Sequence, residues 1–256
     1  MNRYGTPHST DTAANSPHAR APATGSPYGA RHGYKLASIP YGHRVPSRVL
    51  AADRAYAATK ELVLSGDLPG GHLLSEGDIA VRLGMSRTPV REAFLRLQSE
   101  ELLELIPKRG AVVVPVTVGE ADDVLDAREA VETAAVRRLL RRPADVPAAV
   151  ELLRAALDVQ RRHAACGDLP AVAAADEAFH RTIVDAGGNR LTARFYATLG
   201  DRQRRMSIRA LAPNPEQVAV VVEEHAALVD AIEALDADRF AALLPAHLDG
   251  THRPTR

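Results

Sequence analysis

The 256-residue sequence has one cysteine, no tryptophan, an aromatic content of only 4% and a net formal charge of zero. The single thiol, Cys166, cannot form a disulfide within the chain, which fits a reducing cytoplasm. No apolar run approaches the roughly 18 residues of a membrane-spanning helix, and the start of the chain lacks the apolar core of a signal peptide. We therefore expect a cytoplasmic protein that does not have a membrane as a partner.

The neutral charge balance gives no overall case for a nucleic-acid partner, so a DNA contact must come from a local basic patch. The scarcity of aromatics leaves Ala, Leu and Val to fill the core, which favours helices over sheets. Residues 1–46 are rich in Pro, Gly, Ser, Ala and His without apolar periodicity. This composition predicts a disordered basic tail, which is either a solvated leader or an extra contact to DNA phosphates.

Residues 47–116 have the element order of a winged helix-turn-helix domain. Apolar spacing predicts a helix over residues 48–65, a second from the cap Ser75 to Gly84, and a third over residues 87–100. Two short apolar runs, 102–106 and 111–115, flank a basic turn and predict a hairpin, the wing.

The start of the third helix carries the residue types that read DNA in the major groove. Arg87 and Arg91 lie one turn apart opposite the apolar stripe, where each can bind a guanine edge or a phosphate, and Ser86 and Thr88 can donate to phosphate. Lys108 and Arg109 add charge at the wing tip. The alternative is that these arginines are merely a solvated surface on a structural corner.

Residues 119–250 contain six helical segments and no convincing strand, and their short connections predict an antiparallel bundle. The expected fold is therefore mostly α, with an N-terminal winged helix-turn-helix followed by an all-helical bundle of about six helices.

Four residues of this bundle form a candidate metal site. Asp176 and His180 lie at i and i+4 on one apolar stripe, and His225 and His247 continue the stripes of two later helices. A buried carboxylate needs a partner, and three imidazoles with one carboxylate suit a divalent transition metal, Zn first, with Ni, Mn or Fe as alternatives. Taken singly, each histidine is more often a hydrogen-bonded core residue than a ligand, and it is the coincidence of four such stripe positions that favours the metal site.

Three further residues are candidates for binding an anionic effector. Arg128 interrupts an apolar stripe, Arg209 lies on the stripe Leu191, Phe195, Leu199 and Met206, and Asn189 follows a Gly-Gly turn. A charged guanidinium that points inward needs an anion. The alternative for both Arg128 and Arg209 is internal pairing with Glu132 or another acid.

The segment LLSEGDIAVRLGMSRTPVREAFLRLQSEELLELIPKRGAVV resembles the DNA-binding domain of the GntR family, and the match spans about residues 48–116. The resemblance implies that Ser86, Arg87, Thr88, Arg91 and the wing Gly110 contact operator DNA. Gly77 departs from the arginine that usually follows the glutamate of the second helix. One contact is therefore expected to be missing, unless Arg82 or the basic tail compensates.

The motifs Asp176-Glu-Ala-Phe-His180, Glu224-His225 and Ala246-His247-Leu248 are similar to landmarks of the FCD domain, the ligand-binding half of the FadR subfamily. The resemblance covers about residues 119–250 and implies that the Asp and three His bind a metal, with an organic acid beside it. Six helices point to the VanR-like branch. Pro245 departs from the expected pattern, because a proline inside a helix costs about 3 kcal/mol and kinks it just before His247.

The sequence thus predicts a homodimeric transcription regulator, a repressor in the leading interpretation, that binds a palindromic operator in double-stranded DNA and responds to a small organic acid. One alternative is a metal-dependent hydrolase or oxygenase fused to a DNA-binding domain. It lacks a distinct acid or base, because Glu177 and Glu224 are expected to face away from the metal. The other alternative is a direct metal sensor.

Overall fold

The computed structural model describes residues 47–253, with side chains from residue 50 onward, so the tail predicted for residues 1–46 lies outside the described residues. The described part is mostly α-helical, as predicted. Its helices are α1 (Ser47–Leu64), α2 (Glu76–Leu83), α3 (Arg87–Ser99), α4 (Val118–Leu140), α5 (Val146–Cys166), α6 (Leu169–Ala186), α7 (Arg190–Ala197), α8 (Gly200–Leu211), α9 (Gln217–Glu233) and α10 (Ala237–His252). Within residues 47–253, no helix is both long and apolar enough to cross a membrane.

The first three helices pack around one small core. The hydroxyl of Ser75 accepts a hydrogen bond from the N–H of Asp78 at the start of α2, and Gly84 ends that helix in the left-handed conformation at φ +62°. On α3 the side chains of Val90, Phe94 and Leu97 are fully buried. These caps and this stripe are those predicted from the sequence, and together they fix the angle between α2 and α3.

The wing is a three-stranded antiparallel sheet in the order β1 (Leu73–Leu74), β3 (Gly110–Val113), β2 (Leu103–Ile106). The hairpin β2–β3 was predicted, whereas β1 was not, because two residues carry no periodicity. Gly110 has φ +102°, and a Cβ atom there would lie 2.2 Å from the carbonyl oxygen of Leu74. Glycine is therefore required at this point of the wing.

The helical part contains seven α-helices, α4 to α10, rather than the about six predicted. The extra boundary lies at Thr198 and Leu199, where the Thr198 hydroxyl donates to the carbonyl of Phe195 at 2.6 Å and α7 ends. The break has neither proline nor a Gly-Gly pair to mark it in the sequence. The helix count therefore no longer supports the VanR-like branch.

The break also changes the direction in which the side chains after it face. Leu191 and Phe195 on α7 therefore do not share one face with Met206 on α8, contrary to the predicted stripe. Leu191 and Phe195 on α7 are exposed, and Arg209 on α8 is exposed as well. A periodic pattern holds only within one uninterrupted helix. The inward position predicted for Arg209 is therefore wrong.

A candidate DNA-binding face and a candidate metal centre

The residues predicted to read DNA lie together on the outer surface of α3 and the wing. Ser86, Arg87, Thr88 and Arg91 are exposed, as are Lys108 and Arg109 at the wing tip, while Gly110 is half-buried. Ser86 occupies the N-cap of α3 but makes no side-chain capping bond, so its hydroxyl is available for a phosphate. The free N–H groups of this helix end attract anions as well.

The first turn of α2 positions both arginines of this face. The Nε atom of Arg91 lies 4.0 Å from a carboxylate oxygen of Glu76. The guanidinium of Arg87 covers Gly77, where a Cβ atom would lie 3.3 Å from its nearest nitrogen. The side chain absent at position 77 thus leaves the space that Arg87 occupies.

The candidate metal residues Asp176, His180, His225 and His247 meet in the interior of the bundle and are all buried. We call these four residues the Asp/His cluster. The three histidine Nε2 atoms form a triangle with sides of 3.1, 3.2 and 3.3 Å. The carboxylate of Asp176 lies 3.5 Å from Nε2 of His225 and 3.9 Å from Nε2 of His180.

Helix α10 continues through Pro245. The kink expected at this proline therefore does not displace the imidazole of His247 from the cluster. Pro245 lacks an N–H to donate along the helix, but Leu244 and Leu248 on either side of it stay buried in the core. Packing of this apolar face holds the helix together at that point.

A second layer of residues orients all three imidazoles. The Nδ1 atom of His180 lies 2.7 Å from the carboxylate of Glu132, that of His225 lies 2.7 Å from the amide oxygen of Gln160, and that of His247 lies 2.8 Å from the carboxylate of Glu224. Each Nδ1–H donates to its oxygen, so each Nε2 presents a lone pair to the centre.

Burial sets the protonation states in the cluster. Desolvation lowers the pKa of His180 and of His225 well below the usual range, so both imidazoles are neutral. Burial raises the pKa of Asp176, opposed by the charge of Arg128 and by a hydrogen bond from Ser207 at 3.1 Å. Neutral imidazoles with lone pairs directed at one point form a set that can hold a metal ion.

Arg128 is fully buried beside the cluster, with only part of its guanidinium satisfied. Its Nε donates to Glu132 at 3.1 Å, which is the internal ion pair that the sequence offers as the alternative. Among residues 47–253, its Nη1 and Nη2 have no hydrogen-bond partner. One side of the guanidinium is therefore paired internally, and the anion-binding role of the other side stays a prediction.

A cavity of about 890 Å³ lies between α4, α8 and α10, and we call it the α4–α8–α10 cavity. Its wall includes Leu125, close to Arg128 on α4, Met206, next to Ser207, and His252, beyond His247 on α10. Burial and the charge of Arg128 lower the pKa of His252 to about 3, and its buried Nδ1 has no partner within the described residues. The cavity thus carries a neutral hydrogen-bonding group that feels the charge of Arg128, although neither Arg128 nor a residue of the Asp/His cluster lines its wall.

The other two effector candidates are placed differently. The side-chain oxygen of Asn189 caps α7 by accepting from the N–H groups of Leu191 and Thr192 at 3.1 and 3.5 Å, so its effector role stays a prediction. Arg209 is exposed and donates to the carbonyl of Val116 at 3.2 Å, at the junction between the wing and α4.

Sequence reasoning missed most of the second layer. Glu224 was expected to face away, yet it accepts from His247. Gln160 continues the buried stripe of Leu153 and Leu157 on α5, and a polar residue on such a stripe is a signal that was available. Tyr196 donates to Glu132 at 2.5 Å and accepts from Gln203 at 2.7 Å, a network that only the tertiary fold creates.

Comparison with known proteins finds two family matches along the chain. Residues 51–113 match the family described as bacterial regulatory proteins, gntR family, and residues 123–250 match the FCD domain. An HTH-type transcriptional regulator in an unstable DNA locus of Streptomyces ambofaciens is 33% identical over 198 residues, which cover 75% of this chain and 80% of that protein.

A protein of Paenarthrobacter nicotinovorans named "Probable D-xylose utilization operon transcriptional repressor" is 32% identical over 186 residues, which cover 73% of this chain and 80% of that protein. The solved structure of E. coli McbR/YncC has the same fold, with a TM-score of 0.63 and 23% identity over 78% of this chain and 94% of that one. The matched families and named relatives regulate transcription and are not enzymes, which sets aside the hydrolase or oxygenase alternative. The chain belongs to the GntR family of bacterial transcription regulators and carries an FCD domain.

Proposed function

We propose that this regulator is a cytoplasmic, homodimeric repressor whose operator binding is controlled by a small organic acid at a metal-containing pocket. Residues 47–116 are its DNA-binding domain and residues 119–250 its sensor domain. The observation that carries the sensor proposal is the second layer of the Asp/His cluster, which directs three Nε2 lone pairs at one point beside a half-satisfied buried arginine.

The DNA-binding half of the proposal rests on the exposed face of α3. Its N-terminal residues Ser86, Arg87, Thr88 and Arg91 enter the major groove, while Lys108, Arg109 and Gly110 bring the wing to the phosphate backbone. The Paenarthrobacter relative is named as a repressor, which supports repression rather than activation. An operator read by a two-fold dimer is palindromic.

The Asp/His cluster fits a divalent transition metal, and Zn is the first candidate. Two imidazole nitrogens bound to one metal at about 2.1 Å lie about 3.0 to 3.4 Å apart, depending on the bond angle. The observed separations of 3.1 to 3.3 Å fall within this range. Three facing lone pairs repel one another without a cation, so the arrangement is best explained by one. Ni, Mn and Fe accept the same ligands and stay alternatives.

A carboxylate is the effector group that this pocket accepts. The free Nη1 and Nη2 of Arg128 present two N–H donors, the geometry that binds a carboxylate through both of its oxygens. When bound, the metal supplies a Lewis-acidic position for one further oxygen. The α4–α8–α10 cavity, with His252 in its wall, leaves room for the rest of a small acid.

The dimer forms through α4 and α7 in this proposal. These helices pack together through side chains that include Val131 and Ala193, and the outer side of α7 carries Leu191 and Phe195, which are 76% and 49% exposed. Exposed apolar side chains at helical spacing are typical of a surface that another chain covers. Light scattering should give a dimer for the wild type and a monomer for Leu191→Glu.

Helix α8 connects the pocket to the DNA-binding domain. Its inner side carries Ser207, bonded to Asp176, and Gln203, bonded to Tyr196. Its outer side holds the DNA-binding domain by ion pairs of 2.7 Å: Lys60–Asp201, Glu61–Arg204 and Glu101–Arg202. A small displacement of α8 on effector binding therefore acts on both domains.

Mapping the genomic sites bound by the tagged protein supplies the operator, and fluorescence anisotropy on that duplex then tests the proposal. We expect Zn-loaded protein to bind specifically and one acid among D-gluconate, malate and citrate to release it, with the response lost in Arg128→Lys. Release by chelation alone, with no acid from a wide panel having any effect, would instead identify a direct metal sensor.

A further inference from the structure

Two arginines on α8 have no acidic partner in the part of the chain that the structure describes. Arg205 is half-buried and donates through Nη2 to the carbonyl of Val114, and Arg209, one turn later, donates to the carbonyl of Val116 at 3.2 Å. Neither guanidinium forms an ion pair within residues 47–253, although Arg202 and Arg204 on the same helix both do. Among these residues, neither guanidinium therefore has a carboxylate within ion-pair distance, although the charges of Glu120 and Asp201 act on Arg205 from further away.

Both arginines line a crevice of about 360 Å³ between the DNA-binding domain and the sensor domain. We call it the junction crevice. Its other walls are mostly apolar. They include Val63 and Leu64 at the end of α1, Pro115 in the linker between the wing and α4, and Ile208 on α8. On their other side the same arginines line the α4–α8–α10 cavity.

We propose that the junction crevice is a second ligand site, separate from the metal pocket, which binds a monocarboxylate with a short alkyl chain. The carboxylate lies between Arg205 and Arg209, and the chain lies along Val63, Leu64 and Ile208. Burial lowers the pKa of Arg205, which means that its surroundings disfavour the cation, and an anion offsets that cost.

This site differs from the metal pocket in the arginines that hold the carboxylate and in its apolar walls, although Arg205 and Arg209 also line the α4–α8–α10 cavity. The pocket uses Arg128, which is fully buried, whereas Arg209 is exposed and bonded to the linker. Sequence reasoning grouped Arg128 with Arg209 in one effector site, and the structure assigns them to different places. A ligand of the crevice competes for the N–H groups that hold Val114 and Val116, so its binding loosens the linker that joins the two domains.

Calorimetric titration of the full-length, Zn-loaded protein with hexanoate tests the proposal. We expect saturable binding that Arg205→Gln or Arg209→Gln weakens by about tenfold each, since a hydrogen bond to a charged group is worth roughly that factor. Arg161→Gln, which removes an exposed charge from α5, serves as the matched control and should bind as the wild type does. Unchanged hexanoate affinity in the Arg205→Gln/Arg209→Gln double variant would overturn the site.

Two further comparisons distinguish binding in the junction crevice from binding elsewhere on the protein. Affinity should rise by up to about fourfold per methylene from acetate through butanoate to hexanoate, and hexanol should not bind. Equal affinity for acetate and hexanoate would rule out the apolar crevice. Arg128→Lys should keep hexanoate binding even where it loses the acid response of the metal pocket, so the two proposals fail independently. Arg205→Lys, which keeps the charge and the fold, should give an intermediate affinity.

Discussion

Glu224 offers a direct test of the proposed metal centre, because it orients His247, a proposed ligand, without being a ligand itself. Its carboxylate accepts from Nδ1 of His247 at 2.8 Å, and a third of its side chain is exposed. Replacement by leucine removes the acceptor and leaves Nδ1–H without a partner, whereas replacement by glutamine keeps an acceptor and removes only the charge. Partial exposure of the side chain makes both variants compatible with folding.

The size of the effect follows from the role of such second-layer residues. Loss of one typically weakens metal binding by about 10- to 100-fold, or about 1.4 to 2.7 kcal/mol. At a Zn concentration of about 100 times the wild-type Kd, metal stabilises the folded state by about 2.7 kcal/mol, and a tenfold weaker site retains only about half of that. For a chain of this length each kcal/mol shifts Tm by about 2 to 4 °C.

Competition with a chromogenic chelator gives the Zn affinity, and thermal unfolding with and without Zn gives the change in Tm. We expect Glu224→Leu to lose at least tenfold in affinity and Glu224→Gln to lose less. Glu223→Leu is the control, because the neighbouring side chain is exposed on the outside of α9. A Zn affinity of Glu224→Leu within twofold of the wild type would refute the assigned role of the second layer.

Three other predictions address the DNA-binding half and its link to the sensor. Arg91→Ala should weaken specific operator binding by about 1 to 3 kcal/mol in anisotropy titrations, and normal binding by this variant would mean that α3 is not the recognition helix. Lys108→Ala should instead weaken binding to all DNA sequences alike and reduce the slope of log affinity against log salt concentration by about one. Gly110→Ala should destabilise the wing in urea unfolding, because its Cβ atom would lie 2.2 Å from Leu74, whereas Gly119→Ala, with open space around it, should not. Arg204→Gln should keep operator affinity but reduce the acid response, since it breaks the 2.7 Å ion pair with Glu61; an unchanged response would remove α8 from the signalling route.

The DNA-binding half was predictable because its signals are local. Its helix caps, Ser75 and Gly84, bond to backbone groups only a few residues away, and the buried residues Val90, Phe94 and Leu97 repeat at helical spacing. The sequence alone therefore indicates the helices, their ends and their buried side. The two-residue strand β1 escaped prediction because its partner, β3, lies almost forty residues away. Its presence depends on tertiary pairing alone.

The sensor half was predictable only for residues that sit on an unbroken stripe. His180, His225 and His247 do so, and the structure brings them together. Arg209 does not, because the break at Thr198 changes the phase of the helix between Phe195 and Met206. The break therefore places that arginine at the junction of the two domains rather than in the predicted interior.

Helix α8 is only twelve residues long, yet it contacts both the interior of the helical bundle and the DNA-binding domain. Ser207 bonds to Asp176 and Gln203 to Tyr196 in the interior, while Asp201 and Arg204 pair with α1. The two sets alternate along one helix. Because the backbone hydrogen bonds of a helix resist bending, a displacement imposed on one face of the helix also displaces the opposite face. On the proposals made above, a ligand at the Asp/His cluster would therefore act on the ion pairs to α1 through α8 itself, and a ligand in the junction crevice would act on the linker from the opposite side of the same helix.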